Sequence, residues 1–141
     1  MAQTVLMQMS FFDALDSLVS SAETRINRPK GTAHPRYPSV IYPLDYGYLI
    51  GTTAVDGEGV DLFRGTDSTT GITAVALTVD VMKRDVEVKT LVNCTPTEID
   101  RVAEFLTGSL RLGATIVHRS FPPIRAQPST PERLESVSVD V

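Results

Sequence analysis

Hydrophobic positions fall at helical spacing in only two stretches of this chain. From Ser10 onward, Phe11, Phe12, Leu15, Leu18 and Val19 line one face of a helix, with Ser10 and Asp13 placed as a capping pair. Further on, Thr95, Pro96 and Glu98 supply an N-cap, a first-turn proline and a capping-box acid, and Ile99, Val102, Ala103 and Leu106 follow as a buried stripe. Elsewhere the pattern shortens to alternation or to brief apolar runs. That predicts strands over 22–27, 46–53, 60–63, 72–82, 86–92 and 113–119. Pro29, Pro35, Pro38 and Pro43 fill the first long gap; each fixes its own φ and lacks a donor, so a stiff irregular loop is expected there. A glycine-bearing turn, DGEG, separates the second and third strands. Short strands with two flanking helices predict an α+β fold, mainly β, built as a small β-barrel in one domain over 1–121. Residues 122–141, rich in Pro, Ser and charge, are expected to form a flexible tail.

Composition narrows the function. With 141 residues, 42% of them hydrophobic, the chain suffices for one sizeable core rather than two. A net charge of -4 and no dense Lys/Arg block argue against a nucleic-acid surface, so an anionic ligand needs local cations or bridging metal. No run approaches the roughly 18 apolar residues of a membrane span, and no signal-peptide pattern opens the chain. Cys94 is the sole cysteine, which excludes an internal disulfide and fits a reducing compartment. The expectation is a cytoplasmic protein.

Three segments carry candidate chemistry. In Asp56-Gly57-Glu58-Gly59-Val60-Asp61, two glycines let the backbone fold tightly while three carboxylates converge, a set of hard oxygen donors suited to a divalent cation. Taken alone it reads as an ordinary hairpin turn. In Asp85-Val86-Glu87-Val88-Lys89, strict alternation puts Asp85, Glu87 and Lys89 on one face. Val86 and Val88 are expected to face the core, leaving the charged row to solvent or a ligand; Asp80 and Lys83 lie just upstream. The segment from Arg28 to Pro38 sets Arg28, Lys30 and Arg36 on the proline-stiffened loop, where cations can meet phosphate with little loss of freedom. Tyr42, Tyr46 and Tyr48 follow as hydroxyl donors. His34, His118 and Cys94 form no metal or nucleophile motif by spacing and are given no catalytic role.

The order of these pieces resembles the family I inorganic pyrophosphatases: a PKG loop, a YPxxYGY segment, an acidic DGxxxD turn, then a strand with an acid two residues before a lysine. The resemblance covers residues 22–92 and is most specific over IYPLDYGYLIGTTAVDGEGVD, residues 41–61. It implies an OB-like five-stranded β-barrel, Mg²⁺ as cofactor, and hydrolysis of pyrophosphate or a similar small phosphoanhydride by a homo-oligomer that binds neither nucleic acid nor membrane. Carried across by motif, Asp56, Glu58 and Tyr46 take catalytic places. Lys30, Arg36, Tyr42, Tyr46 and Lys89 take substrate-binding places, and Asp56, Asp61, Glu87 and Asp85 metal-binding ones. This chain departs from the pattern in five respects. Glu58 stands where the family has aspartate, Gly59 replaces a proline, and Asn27 replaces a metal-associated glutamate. A hairpin before Tyr42 is missing, and a late tyrosine–lysine pair has no counterpart.

Overall fold

The computed structural model describes residues 9–54 and 57–120. The chain opens with α1 (Phe11–Ser21), whose Ser10 hydroxyl accepts from the Asp13 amide at 3.0 Å, the expected cap. Six strands follow in one sheet: β1 (Thr24–Arg28), β2 (Asp45–Leu49), β3 (Asp61–Arg64), β4 (Ile72–Asp80), β5 (Asp85–Val92) and β6 (Gly113–His118). Between β5 and β6 comes α2 (Pro96–Glu104), which widens into one π-helical turn over Phe105–Ser109.

The spatial order is β1-β2-β3-β5-β4-β6, antiparallel at every step except the parallel pair β3–β5. The protein is thus mixed α and β, mainly β. The expected closed five-stranded barrel is not what the ladder shows, since it has six strands and no pairing joins β1 to β6 among the described residues. The sheet is nevertheless curled, because Arg28 on β1 and Leu112 beside β6, at opposite ends of the series, line the same cavity.

Each face of the sheet has its own helix. On the concave side α2 and the π turn place Ile99, Val102, Phe105 and Leu106 against Leu44, Phe63, Ala74, Ala76 and Leu91 in the main core. On the other side α1 sets Leu15, with Phe12 and Val19, over Ile72, Val75 and Val92. Arg119 secures it, donating to Asp13 at 2.7 Å, to Asp16 at 2.8 Å and to the Ile72 carbonyl at 3.0 Å.

The two faces of β5 are reversed from the expectation. Val86 and Val88 do not face the core; they are 59% and 40% exposed, beside Leu77 and Val79 on the part of the sheet that α1 leaves uncovered. Asp85, Glu87 and Lys89 point inward instead, and Lys89 is only 7% exposed. Alternation fixes which side chains share a face but leaves open which face lies inside.

The start of α2 shows how one acid can fasten two elements. Glu98 closes the capping box with Thr95 and also accepts from the amide and hydroxyl of Thr66, beyond β3, at 3.1 and 2.9 Å. Burial alone would raise its pKa; the Thr95 and Thr66 donors outweigh that and hold it below the ordinary 4.5. Glu98→Ala is expected to cost about 2 kcal/mol at pH 7 in urea unfolding, because the Thr95 and Thr66 amides lose a charged acceptor. A carboxyl with a depressed folded pKa stabilises above its unfolded value, so this deficit should shrink as pH falls below about 4. A deficit unchanged at acid pH would rule this account out.

Candidate functional site

The concave side opens into a cavity of about 1120 Å³ lined from five strands, four loops and the π turn. Its floor is built by β2 and β3, which carry Tyr46 and Asp61, and by β5, which carries Glu87 and Lys89. Because β3 pairs in parallel with β5, the end of the acidic turn comes to lie beside the charged row of β5. Lys89 Nζ donates to Asp61 Oδ2 at 3.1 Å, to Glu87 Oε1 at 2.9 Å and to the Tyr46 hydroxyl at 3.1 Å. Two segments more than twenty residues apart in sequence thus meet at one ammonium group.

Burial opposes the Lys89 charge, but Tyr46, Asp61 and Glu87 outweigh it and push the pKa above the usual lysine value. Tyr46 is likewise raised, chiefly by burial, so its phenol stays protonated. At neutral pH we therefore attribute the hold on Lys89 to the two carboxylates and to the neutral Tyr46 oxygen as an acceptor.

The cavity is lined by the acidic groups Glu58, Asp61, Asp80, Asp85 and Glu87 and by the basic groups Arg28, Arg36, Lys83 and Arg111, together with Lys89 and His34. The His34 pKa is lowered first by burial and then by the charges of Arg28, Arg36 and Lys83, so these cations share one region. The Arg36 amide donates to His34 Nδ1 at 3.0 Å, fixing the loop at the mouth.

The residues singled out from sequence divide as follows. Glu58, Asp61, Tyr42, Tyr46, Arg36, Asp85, Glu87 and Lys89 all line the cavity. Lys30 does not; its amide donates to Asp45 at 2.9 Å and its residue is exposed. Asp56 lies outside the described residues, as does the segment 122–141. Cys94 is buried in the core, with its thiol pushed up to about 12 by burial and by Glu98, which suits an inert packing group.

Arg28, expected on the proline-stiffened loop among the cations that can meet phosphate, instead closes β1, on the half-buried row of Thr24, Ile26 and Arg28. A charge in the inner row of a strand was the available signal. A bulge after Ile26 sets Arg28 opposite Tyr46, and its guanidinium donates to the Tyr42 hydroxyl at 2.6 Å. It also lies 5.6 and 5.9 Å from the ring centres of Tyr42 and Tyr46, within cation–π range.

The carboxylates offer only oxygen donors, the chemistry a hard cation such as Mg²⁺ prefers. Among the described residues no three acidic, His or Cys side chains are already gathered as a metal cage. Likewise, among those residues, no helix is long and apolar enough to cross a membrane. No protein-family profile matches the chain, and no curated protein or solved structure matches it either.

Proposed function

We propose that the protein hydrolyses inorganic pyrophosphate to two phosphates with Mg²⁺. The observation that carries this reading is the meeting of the acidic turn with the charged row of β5, joined by the 3.1 Å contact of Lys89 with Asp61 in a cavity that also presents cations. The resemblance in motif order supports it independently. The curled six-stranded sheet stands, in this reading, for the family's five-stranded barrel.

Asp61, Glu87 and Asp85 are the residues that would hold Mg²⁺. When bound, the metal supplies charge neutralisation and a more acidic water. The chain's own groups supply the rest. Arg36 at the mouth grips phosphate oxygens, and Tyr46, kept protonated by burial, donates to one of them. Glu58 takes a proton from the attacking water as its oxygen bonds to phosphorus. The bridging P–O bond then breaks, and the proton passes to the leaving phosphate. Orientation and electrostatics suffice for this route without a covalent intermediate.

Colorimetric phosphate release from pyrophosphate with Mg²⁺ tests the reading. Asp61→Asn is expected to lower the rate about 10²-fold or more, as for loss of one charge-stabilising group. Wild-type release no greater than that of an Asp56→Ala, Asp61→Ala double variant would defeat it. A second reading, binding of phosphate or metal without turnover, is favoured by one feature: Lys89 already occupies both Asp61 and Glu87. Calorimetric binding with no release would establish that alternative.

A further inference from the structure

Two cations reach the inner part of the cavity, and they differ in how far the protein satisfies them. An ammonium has three N–H donors. All three of those on Lys89 are taken, by Tyr46, Asp61 and Glu87. The group assigned by resemblance to phosphate therefore has no free donor until a carboxylate lets go. A guanidinium has five N–H donors. Among the described residues, the one acceptor of the Arg28 guanidinium is the neutral Tyr42 oxygen, and no carboxylate pairs with it.

Arg28 is half-buried at the cavity wall with its guanidinium carbon over two phenol rings, so it has lost part of its hydration without gaining a counter-charge. Desolvated charge of that kind is unfavourable unless an anion completes it. The rings also limit its motion, which reduces the entropy lost when the fork engages two oxygens of one group. Arg36 and Lys83, unpaired with carboxylates among the described residues, add positive potential along the same wall.

We infer that Arg28 is the primary oxyanion contact of this cavity, binding a terminal phosphate of a phosphoanhydride without need of metal, while Lys89 serves chiefly to hold Asp61 and Glu87 in place. The inference deepens the proposed function by naming the anion-gripping residue, yet it is testable without turnover.

The experiment is calorimetric titration of sodium pyrophosphate into the full chain in EDTA, where hydrolysis does not enter. Wild type is expected to bind, Arg28→Met to bind about tenfold or more weakly, and Arg28→Lys to fall between, since it keeps the charge and loses the fork. Near-ultraviolet circular dichroism checks that each variant keeps its tertiary packing, and Arg28→Lys preserves the test should Arg28→Met unfold. Arg28→Met or Arg28→Lys binding as tightly as wild type would overturn the inference, as would a wild type that binds pyrophosphate only with Mg²⁺. Arg28-dependent binding in EDTA with no phosphate release under Mg²⁺ would uphold the inference and defeat the turnover proposal instead.

Discussion

Lys89→Met is expected to destabilise the protein by about 3 kcal/mol in urea unfolding at pH 7 and to reduce phosphate release to background. Methionine fills the stem's volume but strands two carboxylates that face one another across the lost ammonium. Removing one partner of a buried ion pair typically costs about 3–5 kcal/mol. The lower end applies here because the Asp61 side chain is 27% exposed, so solvent screens part of the loss, whereas Glu87 is 16% exposed. Adding Asp61→Asn and Glu87→Gln should recover part of the stability without activity. A loss under about 1 kcal/mol would mean that the ion cluster does not brace the cavity floor.

Gly47→Ala should be as damaging, although it adds a single methyl group. Gly47 pairs with Ile26 in the antiparallel β1–β2 ladder, and a Cβ there would overlap the Arg25 carbonyl and sit 2.8 Å from the Ile26 Cα. These are backbone atoms of a hydrogen-bonded ladder, so no side chain can swing aside. The strand itself must retreat, taking Arg28 away from Tyr46 and Tyr42. Overpacking of this kind costs about 3 kcal/mol or more, and pyrophosphate binding should fall with it. Gly57→Ala offers the contrast. Its φ of +86° strains an alanine, yet open space surrounds the added Cβ, so a cost of only about 1 kcal/mol is expected. Equal urea midpoints for wild type and Gly47→Ala would refute this account of the close approach.

Much of the secondary structure was legible because its signals are local. The Thr95–Glu98 box and Ser10 fixed where the helices begin, and both caps form as expected. The long pattern expected over 72–82 appears as β4, two residues shorter, and the strand expected over 86–92 as β5, one residue longer. The helix end was less legible, because the widening to a π turn after Glu104 depends on how Phe105 and Leu106 pack into the core. Strand ends shifted for a similar reason: β2 stops at Leu49, where the chain turns through Thr52 and Gly51 rather than running on to Thr53.

The candidate site was legible as a set of residues but not as a set of bonds. Motif order brought Tyr42, Tyr46, Asp61, Glu87 and Lys89 together on paper, and all five line one cavity. It also included Lys30, whose side chain stands elsewhere, and gave no individual role to Arg28, which is distinguished by a bulge and by its ring contacts. Spacing along a chain carries no information about which cation is already satisfied.

What the sequence determined by itself is therefore the local grammar of this protein: where helices start, which residues alternate, where glycine and proline bend the chain, and a net charge of -4 with no dense basic block. Only the tertiary structure decided which side of β5 is interior, because alternation is symmetric between two faces and the choice rests on partners from distant strands. Asp61, on β3, and Tyr46, on β2, make burial of Lys89 tolerable, while α1 covers only one end of the opposite face and leaves Val86 and Val88 outside. Pairing free energies between residues far apart in sequence settled that choice, and no single strand contains them.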